Sequence, residues 1–263
     1  MQRYGTVVVV GGGCYGSYYV RQLGRAVKAG ALEYERLIVV DRDASCRVAA
    51  ELESSPHERA TGVRPPEVVV SEWSAFFDRY FEEAGRDGSE GDAIVPSPLM
   101  PHLMYRWILE RARRRWPDRA VETRPLDGSP PMPWQHRADD GTHYVSYATW
   151  TCPINCVEPA TCPHTRGPRS WSMPPGIDDY VRSERERGRE LEGPAIFHCT
   201  HRAYGVGMFD TADVLAADRL VTEAGTRGAA EVLIATVSHC HGALNVLGIG
   251  EKGRDVNPNT RLQ

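Results

Sequence analysis

Apolar positions along the chain form short runs that alternate with helically spaced stretches. Thr6 to Val10 is an apolar run of strand length ending in glycines, and Tyr15 to Ala29 follows with Tyr19, Val20, Leu23 and Val27 at helical spacing. Arg36 to Val40 predicts a second strand, Ser45 to Ser54 a helix, Val68 to Val70 a third strand, Trp73 to Ala84 a helix and Asp92 to Val95 a short fourth strand. Met104 to Trp116 predicts another helix, stopped by Pro117. Strands alternating with helices in this way predict an α/β fold with a doubly wound, mostly parallel sheet of the Rossmann-like kind.

Leu126 to Gly141, rich in proline, aspartate and glycine, interrupts the pattern. The expected organisation is a dinucleotide-binding domain at 1–125, an irregular excursion at 126–142 and a cysteine- and histidine-rich part at 143–263. That last part is expected either to continue the first sheet or to form a small second domain. Within it, Tyr144 to Trp150 alternates as a strand, Ile177 to Glu192 reads as a solvated polar helix, and Asp210 caps a helix over Thr211 to Ala224. The strands Ala195 to Cys199 and Glu231 to Ser238 flank that helix with the length of a βαβ unit, so they are expected to be parallel with their carboxyl ends on one edge. His198, Cys199 and His201 would then lie near His239, Cys240 and His241. If these strands extend the first sheet, one crevice holds them together with the glycine loop and the loop Pro96 to His102.

Three features carry candidate chemistry. Gly11, Gly13 and Gly16 have the G-x-G-x-x-G spacing, and Asp41, 25 residues beyond Gly16, stands where an acidic residue meets a ribose hydroxyl pair. That favours NAD, although Arg42 leaves room for the 2′-phosphate of NADP. Second, Cys152, Cys156 and Cys162 form a C-x3-C-x5-C loop stiffened by prolines. Three thiolates can cover one face of an iron–sulfur cluster or three corners of a zinc ion, with Cys240 or Cys199 as the fourth ligand. Third, His102, Cys199, His239 and His241 are candidates for acid, base or nucleophile work, each set against an ordinary capping, buried or solvated role. Cys14 and Cys46 read as packing or surface residues.

Composition narrows the classes. A 41% hydrophobic chain of 263 residues can bury a sizeable core, and a formal net charge of −4 gives no reason to expect a nucleic-acid partner. The chain shows no leader and no apolar run of membrane-spanning length, so a cytoplasmic protein without a membrane partner is expected, and its seven cysteines read as thiols or ligands rather than disulfides.

Thr6 to Asp43, with VVVVGGGCYGSYYVRQLGRA continuing to LIVVDRD, resembles the NAD(P)-binding Rossmann domains of the potassium-uptake regulatory and saccharopine-dehydrogenase-like type. The resemblance covers about a sixth of the chain and implies a bound nicotinamide nucleotide without implying a particular reaction. The expected function is an NAD(P)-binding oxidoreductase with an iron–sulfur cluster or metal centre, acting on a small-molecule substrate or a redox partner protein, with oligomerisation left open. The alternatives are a non-catalytic nucleotide-binding redox or metal sensor and a Rossmann enzyme with a structural zinc.

Overall fold

The valines at 7–10 are buried without exception, because the strand that carries them lies between two others and is covered on both faces. The computed structural model describes residues 1–54, 63–87, 91–153 and 156–252. The chain runs β1 (Gln2–Val10), α1 (Cys14–Lys28), β2 (Leu32–Asp41), α2 (Arg47–Ser54), β3 (Glu67–Val70), α3 (Trp73–Asp87), β4 (Ala93–Val95), α4 (Leu103–Arg115) and β5 (Val121–Arg124). It continues through β6 (Trp134–Arg137), β7 (His143–Ser146), α5 (Met173–Glu186), β8 (Leu191–His198), β9 (Thr200–Ala203), β10 (Val206–Asp210), α6 (Thr211–Arg227), β11 (Ala230–Val237) and β12 (His241–Ile249). Among the described residues no helix is long and apolar enough to cross a membrane.

The architecture is α/β with two mixed sheets. The first has the order β3-β2-β1-β4-β10-β9, in which β1 to β4 are mutually parallel and the hairpin β9–β10 is added antiparallel to β4. The second has the order β6-β7-β12-β11-β8, with β5 also paired to β12. β8 and β11 are parallel neighbours, as the βαβ length requires, but they belong to the second sheet and do not extend the first.

Period-two alternation sorts the side chains into layers. Val8, Val10 and Ile94 face a shared core that also takes Phe77 of α3, Ile108 of α4, Val214 and Val221 of α6, and Phe197, Val232 and Ile234 of the second sheet. Val7, Val9 and Val39 face the opposite way, onto Leu23 and Ala26 of α1. On the far side of the second sheet, Leu233, Ala235, Leu244 and Val246 pack on Ile177 and Val181 of α5. α3, α4 and α6 are thus the filling between the sheets. Arg111 and Arg115 of α4 reach Asp218 of α6 at 3.1 and 3.3 Å and fasten two of these helices together.

Local departures from the sequence pattern have local causes. The stretch 126–142, expected to be irregular, contains β6, which pairs with β7. The polar helix begins at Met173, four positions earlier than its periodicity indicates, because Pro174 and Pro175 are tolerated in a first turn; it ends before Gly188, whose φ is +90°. The hairpin β9–β10 closes through Tyr204 and Gly205, at φ +47° and +79°, a two-residue turn of left-handed residues in which only the glycine signals itself.

Candidate functional site

β1 ends by passing its hydrogen bonding to a neighbour: Gly11, at φ +88°, donates its N–H to the Val40 carbonyl at 2.8 Å. Gly12 donates to the Asp41 carboxylate at 2.6 Å and accepts from the Val48 N–H at 2.9 Å. Asp41 also accepts from the Asp43 N–H at 2.9 Å, so the carboxylate expected at the ribose braces the loop as well. The glycines have different duties. A Cβ on Gly16 would collide with the Gly11 carbonyl, and one on Gly12 with the Cys46 sulfur, whereas the space beside Gly13 is empty of protein atoms. Gly13 is the N-cap of α1, whose first turn carries no acidic residue; the carboxylate at this positive end is that of Asp41, on the Gly12 N–H.

In the second half, four thiols from two separate segments meet. Cys152, Cys156, Cys162 and Cys240 line one small cavity of about 10 Å³, roughly the space for a single water. Ile154 and Asn155 of the cysteine loop lie outside the described residues. Cys162 opens a tight turn, in which Arg166 donates to its carbonyl at 2.8 Å and its own N–H donates to Gly167 at 2.9 Å. The backbone N–H groups of Thr165 and His164 point at the Cys162 sulfur and hold its thiol below the usual range. Burial, followed by the neighbouring Cys156 and Cys162, pushes the Cys152 thiol up. Burial pushes Cys240 up to about 11, although Trp171 donates its indole N–H to that sulfur at 3.3 Å. Aromatic rings wall the cavity: Trp150 stacks on His164 at 4.6 Å and meets Trp171 edge-on at 6.1 Å. The donor set is that of a centre held by four cysteine thiolates. Among the described residues, however, no three His, Cys, Asp or Glu side chains are gathered so as to hold a single metal ion.

Cys240 arrives on the turn Ser238 to His241 between β11 and β12, directly after the strand expected over Glu231 to Ser238. The two segments are joined by Glu158, which sequence reasoning passed over; its only signal was a carboxylate set between two cysteines. Its oxygens accept from the Ser238 hydroxyl at 2.6 Å, the His239 N–H at 2.7 Å and the Cys240 N–H at 3.3 Å.

Beside the thiol cavity lies a crevice of about 460 Å³, and Cys152, Cys156 and Glu158 line both. Its other walls are Tyr19 of α1, the loop Pro96 to Pro101, the β9–β10 hairpin with Cys199 and His201, and the β11–β12 turn with His241. Gly11, Gly13 and Asp41 sit at the same end of the first sheet but do not line this space; α1 reaches it one turn further on, through Tyr19.

The four catalytic candidates fare differently. His241 is exposed at the crevice, with its Nδ1 3.0 Å from the Ser146 hydroxyl. His239 turns away from it, to within 3.1 Å of the Ser172 hydroxyl, and packs edge-on against His198 at 4.7 Å. Cys199 lines the crevice, but burial raises its thiol to about 12, the reverse of what a nucleophile needs. His102 does not line the crevice. It is buried under α4, with Nδ1 2.8 Å from the Thr236 hydroxyl and its ring stacked on Tyr105 at 5.0 Å.

Burial first, and Arg106 second, push the His102 imidazole down to about 3. The unfolded chain takes up a proton on this residue near pH 6.5, whereas the folded chain does so only near 3. Stability contributed by the neutral ring is therefore present above about 6.5 and lost as the pH falls through this window, by up to about 1.4 kcal/mol per pH unit. His102→Asn, which keeps an acceptor near Thr236 and cannot titrate, is expected to flatten the dependence. Urea midpoints at pH 7 and 4.5 measure it, and equal slopes in both proteins would refute the assignment.

No curated protein and no solved structure matches the chain. Residues 104–250, more than half of the chain, match the model of a family described as an uncharacterized protein's C-terminal domain, AF_1314_C. The matched stretch begins in α4, ends after β12 and contains all four cysteines of the thiol cavity. On this match the chain belongs to the AF_1314_C family.

Proposed function

We propose that the protein is an NAD(P)-binding oxidoreductase whose second half holds a metal centre on Cys152, Cys156, Cys162 and Cys240, an iron–sulfur cluster in preference to zinc. The observation that carries this reading is the shared wall, since two of the four thiols that close on one cavity also line a crevice large enough for a small substrate. A zinc that only braced the fold would need no access to a substrate space. When bound, an iron–sulfur cluster supplies one-electron chemistry at that wall. Because the cavity is only about 10 Å³, a cluster requires the cysteine loop to move outward, and this favours zinc as the second reading.

The nucleotide half of the proposal is supported by the parallel order β3-β2-β1-β4, the empty space at Gly13, a first turn of α1 without acidic residues and Asp41 at the end of β2. Arg42 lies over the Trp73 ring at 4.9 Å and faces Glu72 at 3.9 Å, which draws it from a 2′-phosphate and favours NAD. In the crevice, His241 is the exposed imidazole available to exchange a proton with a substrate.

Purification without oxygen, followed by assay of iron, zinc and labile sulfide and by a visible spectrum, tests the centre. Iron with matching sulfide is expected. Stoichiometric zinc in a colourless protein supports the second reading, and a chain holding neither metal overturns both.

A further inference from the structure

The cysteine loop and the β11–β12 turn lie far apart in sequence, and the sheet brings them side by side: β7, which leads into the loop, pairs with β12 at His241, and the Tyr147 N–H donates to the Cys240 carbonyl at 2.9 Å. Their junction is concentrated in one side chain. Glu158 stands between Cys156 and Cys162 with φ at +50°, a conformation that residues other than glycine adopt at a cost and keep only where their surroundings hold them. From there its carboxylate reaches across to the turn and accepts the Ser238 hydroxyl and the successive N–H groups of His239 and Cys240. Successive backbone donors on a turn form a concave seat for an anion, and here the anion is supplied by the chain itself. The Ser238 hydroxyl oxygen accepts in turn from the N–H groups of Cys240 and His241, at 3.3 and 3.1 Å. The turn is therefore organised around the glutamate and its serine partner.

We infer that Glu158 is the positioning residue of the thiol centre, the clasp that holds the turn bearing Cys240 against the loop bearing Cys152, Cys156 and Cys162. The inference rests on the reading of those four cysteines as a metal centre. Tyr147 and Trp171 hold the Cys240 carbonyl and sulfur from the β7 side, but the bonds from the cysteine loop itself to the turn run through Glu158, so without the clasp the fourth ligand loses its fixed position relative to the other three. Partners that orient metal ligands are worth about 10- to 100-fold in metal affinity, and Glu158 acts on Cys240 through the backbone next to it. Ser238 and Cys240 share one carboxylate oxygen and His239 uses the other, so a glutamine whose carbonyl faces the shared position keeps two of the three contacts.

The full-length chain, purified without oxygen as wild type, Glu158→Ala and Glu158→Gln, is challenged with a chelator while metal loss is followed. Glu158→Ala is expected to release its metal about 10- to 100-fold more readily than wild type, with Glu158→Gln between the two. Amide hydrogen exchange at His239 and Cys240 supplies a reading that needs no metal, and it is expected to accelerate in Glu158→Ala and to be partly restored in Glu158→Gln. Metal retention equal to wild type in the alanine variant, or unchanged exchange at both amides, overturns the inference. A wild-type chain that carries no metal overturns the reading of the centre, and the clasp is then judged on amide exchange alone. If the alanine variant does not fold, the glutamine variant decides, and retention and exchange equal to wild type overturn the inference.

Discussion

Cys162→Ser is expected to purify with less than about a tenth of the metal found in the wild-type chain. Of the four thiols in the proposed centre, Cys162 is the one best prepared to act as a ligand. Its thiolate is favoured by N–H groups of Thr165 and His164, on a turn already closed by the hydrogen bonds of Arg166 and Gly167. A serine hydroxyl in the same seat stays protonated at neutral pH and offers a hard oxygen where iron or zinc is better served by soft sulfur. The substitution preserves size, so the turn should persist and the effect should appear in metal content rather than in folding. Cys46→Ser is the control: that thiol is buried too, but against Gly12 and outside the thiol cavity, and its loss should leave the metal unchanged. Metal assay of the two variants side by side measures the difference. Wild-type metal content in Cys162→Ser would remove this residue from the centre.

The second large effect separates two glycines of one motif. Gly16→Val sets a Cβ against the Gly11 carbonyl, and because both partners are backbone, α1 and the loop must move apart. A cost of about 3 kcal/mol is expected, seen as a urea midpoint lowered by about 1 to 3 M at ordinary slopes. A Cβ at Gly13 meets no protein atom within 4 Å, and its φ of −74° is not left-handed, so Gly13→Val should cost far less stability than Gly16→Val. The new side chain instead fills the space that a pyrophosphate would take, and affinity for NADH is expected to fall by about 100-fold or more. Calorimetric titration with NADH and NADPH reads this directly. Undiminished binding by Gly13→Val would sink the dinucleotide reading.

The legible parts of this molecule are those whose cause is local. The valines of β1, the helical spacing of α1 and α4, and the start of α6 after Asp210 each declare themselves within a few residues, although the Asp210 carboxylate pairs with Arg202 and makes no capping hydrogen bond. The parallel pairing of β8 with β11 followed from the length of their connection. β12, one of the most buried strands, went unread because Gly242, Asn245 and Gly248 interrupt its apolar run and its role depends on partners over a hundred residues away. The division into two sheets was hidden for the same reason. For the site, spacing pointed to Cys152, Cys156 and Cys162, and strand topology suggested Cys240; these four line one cavity. Burial was not legible at His102, a candidate acid or base set against a capping or solvated role: it stands at the N-cap of α4, with Tyr105 and Thr236 packed against its ring.

The passage at Cys199, where the chain leaves the second sheet as β8 and enters the first as β9, restricts how the protein can move. The strands that finish the first sheet come from the second half, and α6 then carries the chain back to β11. The two halves are stitched together by this return, so a hinge opening between them would have to unzip β10 from β4. Access to the crevice must therefore come from its loops, Pro96 to Pro101 on one side and the cysteine loop on the other. A fragment ending at residue 125 would leave β4 with an unpaired edge, a site for sticking to other chains.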